Sequence, residues 1–134
     1  MSIKALIAIF VSVTILASAA HARSSVPIIN HENLPTVSAV GKAVSSEQVK
    51  QAIVMAATSK GWTTTLDQSG AIVATLIVRN KHTISVTIPY VEDKFSVIYR
   101  DSTNMNYSNG VIHPHYNSWV QNLVTAIRSE LSRR

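Results

Sequence analysis

The 134 residues carry 12 Lys and Arg against 7 Asp and Glu, for a net charge of +5, and no cysteine. A chain of this length holds one domain. The lack of cysteine excludes disulfides, thiol redox chemistry, cysteine nucleophiles, cysteine zinc sites and lipid attachment at a lipobox cysteine.

Lys4 is the only charge ahead of an apolar run over residues 5–17, and Ala20-His21-Ala22 has the A-x-A form that a signal peptidase accepts. The run is too short, and too closely followed by this pattern, to favour a membrane anchor. Residues 1–22 are therefore expected to be a signal peptide, with export to the periplasm or beyond and no transmembrane segment after processing. Removing Lys4 brings the net charge from +5 to +4. The remaining charges are scattered, with no basic run longer than Arg133-Arg134. A nucleic-acid groove needs basic residues clustered on one element and interleaved with aromatics, so no nucleic acid is expected as a partner. Weak attraction to anionic lipid or polysaccharide surfaces is compatible with the charge.

Residues 23–44 contain Pro27, Pro35 and Gly41 among short apolar pairs and read as an extended arm, with at most one short strand near 36–40. Residues 45–134 read as a single α+β domain. Ser45 and Gln48 stand in capping-box register ahead of a narrow stripe of Val49, Ala52, Ile53 and Ala56. Gly61 is placed for a left-handed C-terminal cap. Trp62 then begins a run of short β-prone segments. Ile72, Ala74, Leu76 and Val78 alternate with Val73, Thr75, Ile77 and Arg79. Ile84, Val86, Ile88 and Tyr90 alternate with Thr83, Ser85 and Thr87. Phe95, Val97 and Tyr99 oppose Ser96, Ile98 and Arg100. Asp67-Gln68-Ser69-Gly70, Asn80-Lys81 and residues 91–94 supply the turns. Residues 101–110 are polar and read as the longest loop, a place where function can reside.

The chain closes on residues 114–134, where Tyr116, Trp119, Val120, Leu123, Val124, Ile127 and Leu131 recur at helical spacing. The expected fold is α+β, a four-stranded antiparallel meander with two helices on its apolar face, in the order α-β-β-β-β-α. A further short N-terminal strand is compatible with it.

Several of these residues form a longer pattern: Gly61-Trp62, Gly70, Ile72 and Leu76, Arg79 with His82, Ile88-Pro89-Tyr90, Phe95 to Tyr99, Ser102 with Asn104, and Ile112-His113-Pro114-His115-Tyr116-Asn117-Ser118-Trp119. Together they resemble a group of small exported proteins and lipoproteins of Gram-negative bacteria that has no assigned activity. Many members of that group carry a lipobox cysteine. Ala20-His21-Ala22 stands here instead, which implies release rather than lipid anchoring. The resemblance covers nearly all of the processed chain and implies no functional residues.

His113 and His115 flank Pro114, and His82 opens the third strand of the meander. An H-x-H pair with a distant third histidine is a candidate zinc or copper set. Against it, helix neighbours lie three or four residues apart, so a pair at this spacing is not expected to share a face. His113 then caps the helix, Pro114 takes its first position and His115 is solvated. No G-x-S-x-G elbow surrounds any serine, and no phosphate-cradling glycine loop is present. The carboxylates fall mostly in turns or at helix ends. No catalytic residue and no cofactor is therefore assigned, and a non-enzymatic protein is expected.

The aromatic set of Trp62, Tyr90, Phe95, Tyr99, Tyr116 and Trp119 reads first as core and second as the wall of a ligand pocket. Val73, Ile77 and Ile98, flanked by Arg79 and Arg100, mark the open sheet face as a partner surface if they cluster. Two functions follow. The first is an interaction module acting through the sheet face, a sheet edge or the 101–110 loop, on an envelope or extracellular protein or surface or on a second copy in a homodimer. The second is a small-ligand or metal binder using the aromatic layer or His113 and His115.

Overall fold

Helix α1 (Ser46–Ser59) forms where the capping box lies. The Ser45 hydroxyl accepts from the Gln48 amide at 3.1 Å, and the Gln48 side chain accepts from the Ser45 amide at 2.9 Å. The helix ends in a Schellman turn. Gly61 takes φ +84°, the Trp62 amide donates to the Ala57 carbonyl, and the Gly61 amide donates to that of Thr58. This turn drives Trp62 into the core and aims the chain into the sheet.

The computed structural model describes residues 25–37 and 41–134. The expected signal peptide over 1–22 lies outside the described residues. Strands β1 (Val26–Pro27) and β2 (His31–Pro35) precede α1, and β3 (Thr63–Leu66), β4 (Ile72–Val78), β5 (His82–Ile88) and β6 (Lys94–Thr103) follow it. A short β7 (Val111–Ile112) leads into α2 (His115–Ser132). The α+β class is as expected. The strand count is not, because the main sheet has five strands in the order β2-β6-β5-β4-β3, and β1 pairs with β7 in a second, two-stranded sheet.

The fifth strand comes from the N-terminal arm. It lies at His31–Pro35, ahead of the expected 36–40, of which 38–40 fall outside the described residues. Its sequence, His-Glu-Asn-Leu-Pro, lacks the alternation that signals a strand, and its register against β6 shifts between His31 and Leu34. Side chains do part of the pairing. The Asn33 amide donates to the Ser96 hydroxyl at 3.0 Å, and the Tyr99 amide donates to the Asn30 side chain at 2.9 Å. From α2, Asn117 clamps the same arm. It accepts from the Ile29 amide at 3.0 Å and donates to the Pro27 carbonyl at 2.9 Å.

The alternation within β4, β5 and β6 is as read. Ile72, Ala74, Ile84, Val86, Ile88, Phe95 and Val97 turn inward. They meet the stripe of α2, Tyr116, Val120, Leu123, Val124, Ile127 and Leu131, and that of α1, Val49, Ala52, Ile53 and Ala56. The small side chains of α1 let the two helices approach closely over the sheet. Trp119 departs from its expected place in the buried stripe, because it is only half-buried at the core's edge. Among the described residues no helix is long and apolar enough to cross a membrane.

Strand β6 runs three residues further than expected. A bulge between Ser85 and Val86 on β5 leaves Arg100 as the extra residue, after which Asp101, Ser102 and Thr103 pair with Ser85, Ile84 and Thr83. The loop thus shrinks to 104–110. Asn104, Asn106, Asn109 and Gly110 all take positive φ, the conformation asparagine and glycine tolerate best. Between two of them Met105 drops into the core at 1% exposure. The Met105 carbonyl accepts from the His113 amide at 2.8 Å, pinning the loop to the entrance of α2.

Candidate functional site

Three separate elements bring His82, His113 and His115 together, against the expectation drawn from helical spacing. The ring centroids of His113 and His115 are 4.8 Å apart, and those of His82 and His113 are 6.3 Å apart. His113 lies outside α2. Pro114 already has helical dihedrals, φ −56° and ψ −29°, so His113 is in effect the cap residue and its ring folds back over the first turn. Its Nδ1 accepts from the His115 amide at 3.1 Å, and its carbonyl accepts from the Tyr116 amide. The capping role was expected, and it is this role that swings the ring towards its neighbours.

His115 lies four residues before Trp119, so imidazole and indole share a face and stack at 5.6 Å and 27°. His82, at the start of β5, approaches the same indole at 6.4 Å. Arg79 completes the cluster. It was expected on the open sheet face, but β4 ends at Val78 and the turn begins one residue early. Arg79 and Asn80 take φ +55° and +54°, and the Lys81 amide donates to the Val78 carbonyl. Two successive positive φ values match the mirror-image turns that hairpins favour. The result is a cavity of about 200 Å³ lined by Val78, Arg79, His82, Met105, His113, His115 and Trp119.

The hydrogen bonds fix where two of the imidazole protons sit. The Asn104 carbonyl, 2.7 Å from His82 Nδ1, can only accept, so that nitrogen carries the proton and Nε2 holds the lone pair. The reverse holds at His113, where Nδ1 accepts and Nε2 carries the proton. Asn104 is held in turn, since its side chain donates to the Lys81 carbonyl at 2.9 Å.

Burial, and then the charges of His115 and His82, hold His113 below the ordinary imidazole value of 6.5. Burial also lowers His31, with Arg128 adding to the effect. A group with a depressed folded pKa binds fewer protons folded than unfolded, so its contribution to stability falls as pH drops below about 6.5. The urea midpoint is expected to decline from pH 7 towards pH 5. His113→Asn keeps a capping acceptor but cannot titrate, so it should flatten part of that decline. An unchanged slope would show that His113 does not titrate differently on folding.

As a metal site the cluster is poorly provisioned. The Nδ1 lone pair of His113 is engaged by a backbone amide, and metal at its Nε2 would require that bond to be given up. Among the described residues no group of three or more His, Asp or Glu is placed to hold a metal ion.

The predicted partner surface does not gather into a patch. Val73 and Ile98 lie in one cross-strand row with Thr87 between them. Ile77, 60% exposed, belongs to another row with Thr83 and Thr103, and the Thr75–Ser85 row separates the two. Arg100 lies flat, donating to Thr87 at 3.1 Å. A wider groove of about 530 Å³ runs past Ser69, Tyr90 and Glu92, but it opens to solvent and gathers no comparable group of side chains. Half of the aromatic set is fully core: Trp62, Phe95 and Tyr116 are buried, while Tyr90, Tyr99 and Trp119 pack partly buried against them. Sequence reasoning missed Met105 and the turn position of Arg79. The Asn-rich loop was the only available signal for the former. Comparison of the chain with protein-family models, with curated proteins and with solved structures yields no match.

Proposed function

We propose that this protein is an exported, non-catalytic binding module of the bacterial cell envelope that holds a small ligand in the cavity lined by Trp119, His82, His113 and His115. The gathering of those three rings around one cavity, with His82 and His115 against a half-buried indole, carries the reading. An indole at the edge of a core normally completes its burial, whereas this one keeps a face towards a cavity that polar rings surround. The leader-like residues 1–22 and the resemblance to exported envelope proteins support the location. The sequence holds no G-x-S-x-G elbow, and among the described residues no carboxylate lines the cavity, which supports binding without chemistry.

A second reading places a protein partner, or a second copy of this chain, on the sheet. Two exposed apolar residues favour it, Ile77 on the open face and Leu66 on the edge strand β3, at 60% and 55% exposure. Native mass spectrometry of the purified protein after dialysis against a low-mass envelope extract separates the two. Wild type and Ile77→Lys should retain the same small adduct, and Trp119→Ala should lose it. Loss with Ile77→Lys and retention with Trp119→Ala would overturn the pocket reading.

A further inference from the structure

We propose that the pocket's ligand is a small oxyanion, a carboxylate or phosphate group, received by Arg79, His82 and the Nε2–H of His113. The inference rests on the pocket being a ligand site and adds the ligand's chemical class.

Charge makes the first argument. The ionisable groups lining the cavity are Arg79 from the β4–β5 turn, His82 from β5, and His113 and His115 at the entrance of α2. One is permanently cationic and three are neutral or cationic. Met105, Val78 and Trp119 supply the rest of the wall, so among the described residues no carboxylate lines the cavity. Nothing in the wall offers a cation a countercharge, and a bound cation would also face Arg79.

Proton placement makes the second. His113 already presents Nε2 as a donor, because its other nitrogen is spent on the His115 amide. His82 is fixed with its proton on Nδ1, against Asn104, so a second proton can go only to Nε2. Taking it up turns His82 from an acceptor into a charge-assisted donor without disturbing the Asn104 bond. The start of α2 adds the positive end of an eighteen-residue helix beside the same two rings. With His82 protonated, an anion gains from Arg79 and from both rings. Its arrival also relieves the mutual repulsion of the imidazoles, so binding should draw in protons and tighten as pH falls.

The test follows the imidazole and indole NMR signals of the purified protein at pH 5.5 and pH 8. Separate titrations use inorganic phosphate, acetate, phosphatidylglycerol vesicles and zinc chloride, with sodium chloride as the control. The expected result is a saturable shift of His82, His113, His115 and Trp119 with phosphate and acetate, beyond that given by chloride. Acetate, largely ionised at both pH values, should bind more tightly at pH 5.5, by up to about tenfold for each imidazole whose pKa it raises by one unit. Arg79→Gln, in an exposed turn, should weaken phosphate about three- to fivefold, the scale of an exposed charge contact. Shifts with vesicles but not with free phosphate would support the same chemistry and assign it to a lipid headgroup. Rings that ignore every anion yet shift with zinc would overturn the oxyanion and leave the pocket standing as a ligand site. Rings unmoved by all four probes would overturn both.

Discussion

Leu123→Ala is expected to lower the unfolding free energy by about 2–5 kcal/mol, the range for emptying a fully buried leucine site. Leu123 is completely buried, in the middle of the α2 stripe that covers the sheet beside α1. Domains of this size hold only about 5–15 kcal/mol in total, which makes the loss a large fraction. Trp119→Ala, four residues earlier on the same helix, removes a larger side chain but should cost only about 1–2 kcal/mol, because the indole is only partly buried at the core's edge. Urea melts with unchanged slopes would measure both. A Trp119 variant less stable than the Leu123 variant would mean that the indole is core, and the cavity beside it would then not be a site.

Met105→Ala should also cost about 2–5 kcal/mol, although Met105 sits in a loop of polar residues. The side chain is 1% exposed and packs with the core, while its carbonyl holds the His113 amide. The truncation therefore removes the floor of the histidine cavity as well as core volume. The His82 and His113 ring signals should shift even without ligand. Met105→Leu, nearly volume-conserving, should cost less than about 1.5 kcal/mol and leave the rings in place. Equal losses in both variants would point to a specific need for the thioether instead of a need for volume.

Periodicity made the helices and the three long strands legible. Capping box, Schellman glycine, β alternation and the α2 stripe are local features, and each was satisfied where it was read apart from Trp119. The arm escaped that reading because its pairing draws on the side chains of Asn30 and Ser96 and on a clamp from Asn117, contacts spanning more than sixty residues. Met105 escaped because three left-handed asparagines let a polar loop bury one apolar residue, which has no period at all. The histidines misled for a geometric reason. The three-to-four spacing rule applies within a helix, whereas His113 stands just before one and is free to fold back. Arg79 moved from the sheet face into the site through a one-residue error in the turn. Met105, the histidines and Arg79 all line the same cavity.

The most direct single test is a crystal structure of the purified protein grown in the presence of the low-mass envelope extract. Density should fill the space between Trp119 and the rings of His82 and His113, with His82 still bonded to the Asn104 carbonyl. A cavity closed by Trp119 folding inward, with the imidazoles turned apart and no bound molecule, would contradict a binding role for this site.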